Sequence, residues 1–84
     1  ERYPQVMINV KITQKWKEAW KNDVEIEKAI NENQKKLGSS GRILVRESGT
    51  EPLIRVMIEG KRFDLINDMA LEIADKIKER CTEE

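Results

Sequence analysis

The run Gly41-Arg42-Ile43-Leu44-Val45-Arg46-Glu47-Ser48-Gly49-Thr50-Glu51-Pro52-Leu53-Ile54-Arg55-Val56-Met57-Ile58 reads as two apolar strands joined by a polar loop. Ile43-Leu44-Val45 forms a short strand, and Leu53 to Ile58 forms a second one. The six residues Glu47 to Pro52 between them include Ser, Gly, Thr and Pro, which predicts an antiparallel hairpin with a longer loop. Side chains alternate between faces along a strand. Arg46 therefore shares a face with Leu44, opposite Ile43 and Val45. Arg55 shares one with Leu53 and Met57, opposite Ile54, Val56 and Ile58. If the β-branched residues face a core, both arginines point to the other face at the mouth of one loop.

Upstream of the hairpin, Ser39, Ser40 and Gly41 make a turn. Before it, Asn22-Asp23-Val24-Glu25 has the form of a capping box. Ile26, Ala29, Ile30 and Asn33 then keep a mostly apolar helical stripe, with Leu37-Gly38 as its stop. Thr13 to Asn22 carries Trp16 and Trp20 among charged neighbours; the spacing suits one face of a helix, or the segment is an ordered loop. Val6, Ile8, Val10 and Ile12 alternate with polar residues and Met7, which predicts a half-buried strand starting after Pro4. Downstream, Gly60-Lys61-Arg62 ends the hairpin. Phe63, Ile66, Met69, Ala70, Ile73 and Ile77 then mark an amphipathic helix of about four turns, with Lys76, Lys78 and Arg80 at the negative end of its dipole.

The order strand, helix, strand, strand, helix predicts an α+β fold: a two-layer sandwich, its sheet mainly antiparallel, with two helices on one face and the other face partly open. Eighty-four residues make a single domain, 1–84, with no room for a second core. Tyr3-Pro4 leads straight into the first strand, so the chain reads as a domain excised from a longer protein. Sixteen basic residues balance sixteen acidic ones, which weighs against nucleic acid as a partner. No apolar run approaches the ~20 residues that cross a bilayer, so no membrane partner is expected. Cys81 has no disulfide partner and sits in a charged stretch, where it reads as a solvent-facing bystander. A cytoplasmic location fits these features.

The loop holds the donors that a phosphate dianion needs. Arg46 and Arg55 offer planar forks that match phosphate oxygens. Ser48 and Thr50 offer hydroxyls, and Gly49 lets the backbone approach an anion. Each charge-assisted hydrogen bond shielded from water contributes roughly 1.5–3 kcal/mol. The same residue types also make an ordinary polar turn whose arginines pair with Glu47, Glu51 or Glu59, and residue chemistry alone does not choose. Two other classes compete. Lys11, Lys15, Lys17 and Lys21 around the tryptophans suit a small nucleic-acid-binding module, although Glu18 and Asp23 offset that charge and the indoles can simply pack on the domain edge. The open sheet face suits a docking module for another protein domain.

Arg46-Glu47-Ser48-Gly49-Thr50-Glu51-Pro52, followed by Arg55 on a strand, resembles the phosphate-binding loop in the C-terminal domain of the α-D-phosphohexomutases. Arg2-Tyr3-Pro4-Gln5-Val6-Met7-Ile8-Asn9-Val10, Gly41 to Arg46 and Ile54 to Gly60 resemble its bacterial phosphoglucosamine mutase branch. The likeness covers nearly the whole chain and is weakest through Thr13 to Asn22. It implies the TATA-box-binding-protein-like architecture of that domain. It also implies a role in interconverting glucosamine 6-phosphate and glucosamine 1-phosphate, through a phosphoserine and a bisphosphorylated sugar, on the route to UDP-N-acetylglucosamine and the cell wall. A phosphomannomutase or phosphoglucomutase is the alternative.

In such enzymes this domain grips the phosphate that is not reacting. The resemblance assigns that role to Arg46, Ser48, Gly49 and Thr50, with Arg55 as a fifth member. It further implies Mg²⁺ in the full enzyme, a phosphosugar substrate and the enzyme's other domains as partners. The chain has no histidine, no serine in the family's active-site context and no Asp-x-Asp-x-Asp run, so catalytic and metal residues are expected elsewhere and this domain alone should be inert. Glu47 departs from the Lys or Pro common in relatives, and its negative side chain is expected to turn away from the anion.

Overall fold

The computed structural model describes residues 3–82; Arg2, which opens the first resembling segment, lies outside them. The hairpin forms as expected. Strands β2 (Gly41–Glu47) and β3 (Leu53–Gly60) pair antiparallel, with Val45 opposite Val56 and Arg46 opposite Arg55. Each is longer than its apolar run, because Arg42 and Glu59 continue the ladder on the solvent-facing side and Gly41 meets Gly60 at its end. Strand β1 (Gln5–Lys11) joins the free edge of β3, giving a three-stranded sheet in the order β1-β3-β2. β1 and β2 therefore run parallel to each other with β3 inserted between them. That arrangement places β3 at the centre, where Ile54, Val56 and Ile58 are fully buried.

Helices α2 (Val24–Leu37) and α3 (Phe63–Cys81) cover one sheet face. The core is built from their stripes and the inward strand residues: Ile26, Ile66, Met69, Ala70, Ile73 and Ile77 against Val6, Val10, Ile54, Val56 and Ile58. Each buried Ile contributes about 1.5–3 kcal/mol through removal of apolar surface from water. Gln34 on α2 closes the outer edge of β2, its Oε1 accepting the Ile43 amide at 3.2 Å. An exposed strand edge is a template for unwanted pairing, and this contact occupies part of it.

Four local expectations need correction. The cap of α2 is Asp23, not Asn22: its Oδ1 accepts the amides of Glu25 at 3.0 Å and Ile26 at 3.2 Å. With the cap one residue on, Glu25 falls too early to reach back as a capping box requires. Phe63 lies on the periodic stripe but opens α3 where nothing covers it, and it is 56% exposed. Helix α3 runs 19 residues, about five turns rather than four. Its extra turn carries Cys81 back onto the buried stripe, four residues after Ile77, so the cysteine is fully buried rather than solvent-facing. Burial among apolar neighbours pushes its thiol up to about 11.

Between β1 and α2 lie a one-turn helix, α1 (Trp16–Ala19), and a tight 3₁₀ turn over Trp20–Asn22. Both tryptophans pack on the core at the domain edge, Trp20 buried and Trp16 partly so. Asp23 also receives Arg80 Nε at 3.0 Å, which joins the start of α2 to the end of α3. The Cys81 carbonyl accepts the Thr13 amide at 2.8 Å, fixing the exit from β1 to the same helix end.

Candidate phosphate-binding site

Strand alternation and the observed register together leave one row of polar side chains across the open face. Arg46 lies directly opposite Arg55, and Arg55 lies directly opposite Asn9. Arg55 Nε donates to Asn9 Oδ1 at 3.2 Å. Arg46 is exposed and has no hydrogen-bond or ion-pair partner among the described residues. Like charges directly opposite each other in an antiparallel pair repel. The two arginines thus stand in register on one face, where an anion between them would offset their like charges.

The loop is organised by Ser48. Its amide donates to the Leu53 carbonyl at 2.9 Å, closing the hairpin. Its Oγ accepts the amides of Thr50 at 3.3 Å and Glu51 at 3.4 Å, which leaves its own proton free to point outward. Leu53 donates back to the Glu51 carbonyl at 2.8 Å. Gly49 and Thr50 are exposed at the tip. Gly49 does not have a left-handed backbone, and a Cβ built there meets nothing within 4 Å. Nothing among the described residues requires glycine at that position, and the space above it is open.

The polar-turn alternative paired the arginines with Glu47, Glu51 or Glu59. Among the described residues neither Arg46 nor Arg55 makes such an ion pair. Glu59 is engaged by Arg42 at 3.2 Å, at the far end of the open face. Glu47 points through the sheet to the helix side, where Oε1 accepts Trp20 Nε1 at 2.7 Å and sits 3.6 Å from Lys21 Nζ. The indole N–H, and secondarily the Lys21 charge, hold this carboxyl below the usual carboxylate range. Its expected turn away from the loop is therefore observed, with a named anchor.

All five sequence-predicted residues come to one end of the hairpin: Arg46, Ser48, Gly49, Thr50 and Arg55. Sequence reasoning missed Asn9, which orients Arg55. It placed Lys11 only in the basic patch around the tryptophans, whereas the residue is exposed on this face, in register with Leu53, and borders a depression of about 260 Å³ with Glu51 and Pro52. Both were legible as outward residues of β1, but nothing local told that β1 would pair with β3. The tryptophans were candidates for base stacking; Trp20 is too buried to offer a face. Trp16 Nε1 is buried without a partner among the described residues. No group of three or more His, Cys, Asp or Glu gathers at one place among the described residues. Nor is any described helix long and apolar enough to cross a membrane.

Residues 7–76 match the family described as phosphoglucomutase/phosphomannomutase, C-terminal domain. The chain is 46% identical over 78 residues to a phosphoglucosamine mutase of Thermoanaerobacter sp. (strain X514), covering 93% of this chain and 17% of that protein. It is 46% identical over 82 residues to a phosphoglucosamine mutase of Vibrio vulnificus, again covering 17% of the relative. Among solved structures, N-acetylphosphoglucosamine mutase of Aspergillus fumigatus superposes with a TM-score of 0.78 at 22% identity, over 96% of this chain and 16% of that one. That likeness speaks for the fold. By the match across most of its length, this chain belongs to the C-terminal domain family of the phosphoglucomutases and phosphomannomutases.

Proposed function

We propose that this chain is the substrate-phosphate-binding domain of a phosphoglucosamine mutase. The observation that carries the reading is the pair Arg46 and Arg55, face to face on the open side, with no carboxylate partner for Arg46 among the described residues. The Ser48 proton, the Gly49 amide and the Thr50 hydroxyl complete a cradle for one phosphate group. The relatives of which this chain spans 17% carry the name phosphoglucosamine mutase, which supports both the glucosamine branch and a place within a longer enzyme. In that enzyme, glucosamine 6-phosphate and glucosamine 1-phosphate interconvert through a phosphoserine and a bisphosphorylated sugar, supplying cell-wall precursors in the cytoplasm.

This chain's part is to bind and orient. A grip on the phosphate that is not reacting anchors the substrate, and binding energy from that remote group helps stabilise the transition state elsewhere. A cradle that reads phosphate alone accepts the bisphosphorylated intermediate in either orientation. Mg²⁺, held by other parts of the enzyme, would neutralise charge on the transferred phosphoryl group. The open sheet face and loop turn towards those other domains.

The test is a titration of the 84-residue chain with glucosamine 6-phosphate, followed by backbone amide shifts. Shifts should cluster from Arg46 to Arg55 with an affinity around millimolar, or about −4 kcal/mol. Arg46→Ala should weaken binding roughly tenfold or more, the loss of a charge-assisted contact. Shifts scattered elsewhere, or none at tens of millimolar, would count against the reading.

A further inference from the structure

We propose that Trp20 and Glu47 act as a positioning pair that sets Arg46 for phosphate binding; this rests on the cradle reading above. Glu47 is the last residue of β2, between Arg46 on the open face and Ser48, which begins the loop. Its side chain passes to the opposite face and accepts Trp20 Nε1 at 2.7 Å, across 27 positions of sequence. Trp20 is buried in the core cluster, so the anchor is rigid. Successive strand residues face opposite ways. Pinning Glu47 to the helix layer therefore commits Arg46 to the open face and fixes where the loop departs.

The end of β2 needs such a pin. Arg46 and Arg55 repel each other across the strand pair, and Arg55 is already tied to Asn9. Without an anion the repulsion falls on the untied partner, at the terminal turn of the ladder. The Trp20 N–H works against it from behind. The anchor does a second job, because a free carboxylate beside Arg46 would compete with the anion. Trp20 and Lys21 keep that negative charge on the other side of the sheet.

Glu47→Ala, Glu47→Gln and Trp20→Phe separate the two jobs. Each is titrated with inorganic phosphate by amide shifts, and thermal unfolding is followed in parallel. Glu47→Gln keeps an acceptor for the indole and removes a negative charge, so it should bind phosphate as tightly as the unsubstituted chain or more tightly. Glu47→Ala removes the same charge and the tether together. Positioning predicts roughly tenfold weaker binding, the worth of one misaligned charge-assisted contact; charge repulsion alone predicts tighter binding. Trp20→Phe should weaken binding similarly while the protein stays folded at the assay temperature. In the unsubstituted chain the Trp20 indole N–H resonance should move with the same midpoint as the loop amides.

Unchanged or tighter binding in both Glu47→Ala and Trp20→Phe, with loop shifts intact in the unsubstituted chain, would overturn the positioning role alone. Absence of loop shifts in the unsubstituted chain would overturn the cradle reading and this inference with it.

Discussion

Two glycines of the hairpin should respond in opposite ways to alanine. At Gly41 a Cβ would stand 2.1 Å from the Glu59 carbonyl oxygen, with Gly60 Cα at 3.0 Å. Those are backbone atoms of the central strand, so neither can swing aside. Ordinary contact begins near 3.4 Å, and the start of β2 must retreat by roughly an ångström. That retreat strains the packing by about 1–3 kcal/mol and weakens the last ladder hydrogen bond, worth about 1 kcal/mol. A total near 2–4 kcal/mol lowers the melting temperature of a domain this size by roughly 10–30 °C.

Gly49 has open space and no left-handed backbone. Gly49→Ala should leave the melting temperature unchanged or raise it slightly, because alanine restricts the unfolded chain by about 0.4–1 kcal/mol. Its methyl group occupies the approach to the loop amides, and phosphate affinity should fall by about tenfold, one lost charge-assisted contact. Circular dichroism melts and a phosphate titration of both variants decide the matter. A tolerated Gly41→Ala would refute the register at the end of the sheet. A Gly49→Ala protein that melts early, or that binds phosphate undiminished, would refute the division between a structural and a ligand-facing glycine.

Asp23→Ala should cost about 1–2 kcal/mol in urea unfolding through loss of the α2 cap, whereas Asp23→Asn, which keeps an acceptor for both amides, should cost clearly less. Cys81 should resist thiol reagents at pH 8 in the folded protein and react at once in urea; fast labelling without denaturant would contradict its burial. Its thiol is raised in the fold, so its contribution is complete below the ordinary value near 9 and is lost as pH climbs towards about 11, which an alkaline melt series can read. Glu47 shifts the other way: its carboxyl is held below the usual 4.5, so its contribution is present above that pH and is lost as pH falls through the lowered value. Glu47→Gln should flatten that acid limb.

How much was legible follows from how local each signal is. The hairpin and its face assignment were readable because Ile43, Val45, Ile54, Val56 and Ile58 alternate within two short runs. The meeting of Asn9 with Arg55 was not, since the residues lie 46 positions apart and polar alternation in β1 carries no register. Cys81 carried a signal that its neighbours masked. Lys78, Glu79 and Arg80 suggested a solvated tail, while the four-residue step from Ile77 placed the thiol on the buried stripe. The cradle residues were readable as types but not as a site, because serine, glycine and threonine serve any turn. Resemblance supplied the assignment, and the register added what residue types could not: two arginines directly opposed, and a glycine with no internal reason to be one.

The central claim is that the loop from Arg46 to Arg55 reads a phosphate group and not the sugar that bears it. The most direct measurement is one series of amide-shift titrations of the 84-residue chain with glucosamine 6-phosphate, glucosamine 1-phosphate, inorganic phosphate and glucosamine. The three phosphates should shift the same residues between Arg46 and Arg55 with affinities within a few-fold of one another, around millimolar, and glucosamine should shift none of them. Binding of unphosphorylated glucosamine to this loop, or a loop silent to all three phosphates, would contradict the account.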